Sequence, residues 1–207
     1  TKMPTITDPR PDTTADPTAD TPRTADDWRA AGQRLLKAGA TLEAYDTLVV
    51  GLRAWPGDLR MRQLLALALA RSGASREANA LLAALVSDGH GDEETLGLLA
   101  RTHKDLWAAA TTADAREAHL AAAARTYTQA YRQTGGYWTG INAATLALVK
   151  GDLDGARILA GEVEAQCRAL VDDGQEDYWL FATLGEAALV CGDLDGASAW
   201  YRRAVAL

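Results

Sequence analysis

The chain has 207 residues, 48 % of them hydrophobic, with a formal charge of −7 and a pI near 5.0. Such acidity argues against a nucleic-acid partner, whose phosphates call for a basic face. The longest apolar run, Leu64 to Ala70, is too short to cross a bilayer. A single Phe, a dominance of Ala and Leu, and no alternation of apolar and polar residues point to helices rather than strands.

Residues 1–24 hold five of the six prolines among many Thr and Asp. Nothing there can be buried, so a disordered linker is expected, followed by a helical domain over 25–207. The chain begins at Thr1 rather than Met, which suggests a piece of a longer protein. The first unit opens at Trp28 and reads Trp28, Ala31, Gly32, Leu35, then Ala44, Leu48, Gly51 and Pro56. This resembles the tetratricopeptide repeat, in which a Trp-Leu-Gly-Tyr pattern on one helix is followed by Ala and an apolar residue on the next and a closing Pro. The second unit follows at the spacing of that repeat, about 34 residues. It places Ala66 and Leu69 on a helix over about 58–72 and Ala78, Leu82 and Leu85 on one over 75–87.

The third unit begins with Leu96, Leu99 and Ala100, but its second apolar series, Ala123, Tyr127 and Ala130, comes about eleven residues late. The Ala-rich stretch between them, Trp107 to His119, predicts that both helices are lengthened. The fourth unit runs from Tyr137 through Ala144, Gly151, Ala156 and Val163 to about Val171. The fifth runs from Tyr178 through Phe181, Leu184, Gly185, Ala197 and Tyr201 to Ala204. One hexamer, Gly-Asp-Leu-Asp-Gly-Ala, occurs at 151–156 and again at 192–197. Its first Gly suits the positive φ that closes a helix, its first Asp caps the next, and its Ala sits at a close helix crossing. The expected fold is all-α, a right-handed α-solenoid of about five tetratricopeptide-like helix pairs.

The block from Gly136-Tyr137-Trp138-Thr139-Gly140 to Leu146, followed by Asp177-Tyr178-Trp179, Ala182-Thr183-Leu184-Gly185-Glu186-Ala187 and Trp200-Tyr201, is similar to the MAP3K TRAFs-binding domain family. The resemblance is strongest over about 137–204. It implies a tetratricopeptide-type regulatory region that binds protein, has no catalysis of its own and belongs to a longer chain. The Arg-rich, Lys-poor, Ala-rich composition points to a bacterial member.

Chemistry has little to stand on. Asp152-x-Asp154-Gly155 and Asp193-x-Asp195-Gly196 lack the Gly and Glu spacing of a calcium loop and read as helix caps. His90, His103 and His119 have no metal-ligand spacing, and His103 falls at a core position. No phosphate loop or nucleophile motif is present, so neither catalysis nor a cofactor is expected. Cys167 and Cys191 read as two buried free thiols in a reducing, cytoplasmic setting. Of the aromatic residues, Trp138 and Trp179 are the expected exceptions to burial.

Binding remains. The first helix of each pair should line a concave groove, as the tetratricopeptide resemblance implies. The partner-binding residues expected there are Arg29, Lys37, Arg60, Arg71, Arg101 and Lys104 at a basic end, and Trp138, Ile141 and Trp179 at an apolar end. The partner would be a protein or peptide, including a domain of the same full-length chain, with neither nucleic acid nor membrane involved. Alternatives are a small-molecule sensor using the aromatic C-terminal half, and homo-oligomerisation through the uncapped last helix, where Trp200, Val205 and Leu207 await cover.

Overall fold

The computed structural model describes residues 24–207, and in them finds ten helices and no strand. The linker expected over 1–24 lies outside these residues except for Thr24, whose hydroxyl accepts from the Asp27 N–H while the Asp27 carboxylate accepts from the Thr24 N–H. This reciprocal cap starts α1 (Ala25–Lys37). The remaining helices are α2 (Thr41–Ala54), α3 (Leu59–Arg71), α4 (Ser75–Ser87), α5 (Glu93–Ala109), α6 (Ala113–Thr134), α7 (Tyr137–Val149), α8 (Leu153–Asp172), α9 (Tyr178–Cys191) and α10 (Leu194–Val205). As expected, α5 and α6 are long, at 17 and 22 residues, and only Ala110 to Thr112 separate them.

The hexamer behaves as its chemistry dictates. Gly192 has φ +86° and its N–H reaches the Leu189 carbonyl, while the next N–H, of Asp193, reaches back to Ala188 at 2.9 Å. That pair of bonds closes α9. The Asp193 carboxylate then accepts from the Gly196 N–H at 2.9 Å and opens α10, and Asp152 does the same for Gly155 at 3.0 Å. Ala44, Ala78 and Ala156 are fully buried at equivalent positions in α2, α4 and α8. Close crossing also explains Gly32: a Cβ there would lie 2.6 Å from a Leu48 methyl.

Each apolar cluster draws on successive helices. Trp28, Leu36, Leu48, Met61 and Leu64 join α1 to α3; Ala66, Leu82, Leu85 and Leu99 join α3 to α5. Ala100, Ala123, Tyr127 and Leu146 join α5 to α7, and the largest cluster, with Val163, Phe181 and Leu184, holds α7 to α10. Each fully buried Leu in this series contributes about 2 kcal/mol. A neighbour-to-neighbour core of this kind makes a solenoid. Odd-numbered helices also pack on one another, α1 on α3, α3 on α5 and α7 on α9, whereas no two even-numbered helices pack comparably. The array therefore curves toward its odd helices, and these line the inner face.

Candidate binding groove

The inner face is built on a side-chain position that recurs with the repeat. Arg29 of α1 donates from Nε to Asp58 at 2.9 Å, and Asp58 caps α3 by accepting from the Met61 N–H. Gln63 of α3, one repeat further on, donates to Asp92 at 3.1 Å, and Asp92 caps α5 through the Thr95 N–H. The first two units thus tie themselves to the N-terminus of the next inner helix. Burial pulls the Asp58 carboxyl upward, but the hydrogen bonds from Arg29 and Met61 outweigh it and hold the carboxyl below its ordinary range.

These ties answer much of the expected basic end. Arg29 is committed to Asp58 and Asp26, and Arg60 to Glu94 at 3.0 Å. The Arg71 guanidinium donates to the Leu36 carbonyl at 2.9 Å, where a cation also suits the C-terminal end of α1. Lys37 and Arg101 are exposed and form no ion pair or hydrogen bond among the described residues. What the sequence offers as six groove cations is three inter-unit staples and three cations without a carboxylate in hydrogen-bond reach, Lys37, Arg101 and Lys104.

The recurring position next falls on Gly97, and there the pattern changes. The Trp138 ring of α7 occupies the space that a side chain at 97 would take, so that any Cβ would overlap it. Trp138 stands edge-on to Tyr127 of α6, with centroids 6.2 Å apart and planes at 84°, and keeps 37 % exposure. Beside this wedge, Lys104 Nζ donates to Asn142 Oδ1 at 2.9 Å and lies 5.8 Å from the Tyr127 ring centroid. Burial pushes the Lys104 ammonium down from its ordinary value, against the pull of Glu186 and Asp105. The Tyr127 hydroxyl is pushed well above its ordinary value, again chiefly by burial. Further along, Thr145 donates to Glu186 at 2.6 Å and links α7 to α9.

Trp179 is 72 % exposed and stands edge-on to Tyr178 at the start of α9, and Leu148, Val149 and Leu189 are exposed toward the C-terminal ends of α7 and α9. Trp28 is buried, and Trp200 is part-buried, stacked on Phe181 with Arg203 over both rings. Ile141 requires a correction. It is 3 % exposed and belongs to the core shared by α7 to α9, so it offers no groove surface. One residue along a helix turns the side chain by about 100°, and here it is Asn142 rather than Ile141 that reaches α5. Cys191 is also corrected: it is exposed, while Cys167 is buried, and both thiols are free.

Two features escaped the sequence reading. His103 and His119, 16 residues apart, meet across the α5–α6 hairpin with Nδ1 atoms 3.2 Å apart. Burial, then His119 and Arg125, push the His103 imidazolium below its ordinary value. The second is the Lys104–Asn142 contact, whose partners are 38 residues apart on helices that the unequal third unit throws out of register. Among the described residues no cluster of three metal-ligating side chains occurs, and no helix is long and apolar enough to cross a membrane.

A curved array of helix pairs, capped by Gly and Asp and stapled between units, is a tetratricopeptide-type α-solenoid. The chain belongs to the tetratricopeptide repeats-sensor family, whose model matches residues 39–147. The match runs from the turn between α1 and α2 to near the end of α7, and so covers little of the C-terminal units in which the resemblance to the MAP3K TRAFs-binding domain family is strongest. Among solved structures, the chain is similar to the thermophilic tetratricopeptide protein TTC0263 of Thermus thermophilus, at 18 % identity and TM-score 0.73, over 88 % of this chain and 91 % of that one. It is similar to part of the Cut9–Hcn1 hetero-tetramer of the APC/C, at 16 % and 0.66, covering 88 % of this chain and 33 % of that one. It is also similar to human IFIT1, solved as a dimer with PPP-AAAA, at 12 % and 0.56, covering 88 % and 55 %. At these identities the likeness is one of fold. No curated protein matches the sequence. Tetratricopeptide folds commonly mediate protein–protein interaction.

Proposed function

We propose that the chain is a non-enzymatic interaction module of a larger signalling or defence protein, and that its inner face holds a protein segment across α5, α7 and α9. The bound segment places a carboxylate at Arg101 and Lys104 and apolar side chains against Trp138 and Trp179. What carries the reading is Lys104. It is a half-desolvated cation whose one hydrogen bond goes to a neutral amide oxygen, with no carboxylate in hydrogen-bond reach. A cation in that position gains from an incoming carboxylate, because an ion pair formed out of water is stronger than an exposed one. The part-exposed Trp138 ring, which packs on the same Tyr127 that Lys104 overlies, supplies the apolar anchor that interfaces favour. The finer likeness to the MAP3K TRAFs-binding domain family, a bacterial source and a cytoplasmic setting are parts of this same proposal.

Selection of dodecamer peptides from a random display library against the full chain tests it. Enriched peptides should share an acidic residue a few positions from an aromatic or aliphatic one, and should bind Lys104→Met at least about tenfold more weakly. Enriched peptides without an acidic residue, or equal binding to the variant, would overturn the proposal.

A further inference from the structure

A recess of about 760 Å³ lies on the side opposite the groove, between α6 and α8. That volume falls within the range of roughly 300–1,000 Å³ typical of small-molecule sites. Its origin is local. The side chains of α7 at its floor are only Ala143 and Ala147. In α6, the hydroxyls of Thr126, Thr128 and Thr134 donate to the carbonyls four residues back, a bond that bends a helix. Gln166 of α8 donates to the Gly135 carbonyl at 2.6 Å and ties the C-terminal end of α6 to α8.

Its lining is divided in chemistry. Ile158 and Leu159 join the two alanines as an apolar wall, and Ile158 is 64 % exposed into this space. Arg125, Arg132 and Lys150 surround it, and none of the three forms an ion pair or hydrogen bond among the described residues. Two acids also line it: Asp152 caps α8 through the Gly155 N–H, and Glu162 lies near Tyr131, whose hydroxyl is pushed above its ordinary value by burial and then by the Glu162 charge. The recess therefore sets three cations against two carboxylates above an apolar floor, a positive balance in a protein whose formal charge is −7.

We propose that this recess is a binding site for a small organic anion, with an apolar body against Ala143, Ala147, Ile158 and Leu159 and its charge toward Arg125 and Arg132. The site is separate from the peptide groove and does not use the C-terminal aromatic residues.

The test uses the full chain and two dyes of nearly the same shape: 8-anilino-1-naphthalenesulfonate, an anion, and N-phenyl-1-naphthylamine, which lacks the sulfonate. The anionic dye should bind saturably with enhanced fluorescence. Its dissociation constant should rise about tenfold or more in the double variant Arg125→Gln/Arg132→Gln, while that of the neutral dye changes by less than about twofold. Both arginines are exposed or half-exposed, and a circular dichroism melt will show that the variant folds. Trp179→Ser should leave anionic dye binding unchanged. No saturable binding, equal binding of the anion to the double variant, or loss of binding in Trp179→Ser would overturn the proposal. A signal that falls with rising protein concentration would assign the recess to a second copy of the chain and overturn it equally.

Discussion

Replacing Trp138 by Ala tests the wedge between α5 and α7. Truncating a fully buried Trp destabilises a protein by about 3–5 kcal/mol, and Trp138 is 37 % exposed, so scaling to the covered part gives about 2–3 kcal/mol. The edge-on contact with Tyr127, worth about 1 kcal/mol by itself, lies within that figure. A second substitution makes the test specific to the geometry. Gly97→Ala alone should cost about 1–3 kcal/mol, because the new methyl overlaps the Trp138 ring. In the Trp138→Ala background the same change should be neutral or stabilising, since Ala is favoured over Gly inside a helix by about 1 kcal/mol. Urea unfolding followed by far-ultraviolet circular dichroism on the four proteins of the cycle gives the coupling. Additive effects would refute the packing of Trp138 on Gly97.

Other outcomes follow from the charged and titrating groups. Asp58 has a folded pKa below its ordinary 3.8, so its contribution is complete above that value and is lost as pH falls through the folded pKa. Asp58→Asn should therefore lower stability at neutral pH, and the gap from the unsubstituted protein should close below about pH 3.8 in acid titrations; a constant gap would refute the Arg29 staple. His103 is held neutral in the fold, so the unfolded chain protonates first as pH drops below 6.5. Stability should fall from that point until His103 itself protonates, and His103→Gln should flatten the decline in thermal melts at pH 5 to 7. Ellman's reagent at pH 8 should modify only Cys191 in the native protein, and slowly, because burial raises its thiol pKa. Cys167, pushed up to about 12, should react only on unfolding; two fast equivalents would contradict the packing of α8.

The architecture was legible because each unit repeats the same local chemistry. Gly39, Gly73, Gly151 and Gly192 all take positive φ, and Asp152 and Asp193 cap the helices that follow the last two, as their positions predict. The groove was less legible for a definite reason. A one-letter reading counts Arg29, Arg60 and Arg71 as charge, but their partners lie 29 to 35 residues away, on the neighbouring unit. The same limit hid the histidine pair, and it placed Ile141 on the wrong side of α7. The staple could have been found: Arg29 and Gln63 are separated by one repeat period, and so are the capping acids Asp58 and Asp92 that they reach.

That period also gives physical content to the choice of α5 and α7 as the centre of the groove. A solenoid made of like interfaces offers a partner no preferred register along its inner face, because every unit presents the same ties. Here the tie made by Arg29 and Gln63 is absent at Gly97, where an indole from the next unit takes its place. Beside that wedge, Lys104 has an amide oxygen as its partner, whereas Arg29 and Arg60 have carboxylates. Positions where local rules fail without a compensating internal contact are where function is expected. On the proposal made above, Lys104 beside the wedge is the site and the staples are scaffold. The corresponding expectation is that charge removal at Arg60 lowers stability with little effect on a selected peptide, whereas removal at Lys104 weakens the peptide with little effect on stability.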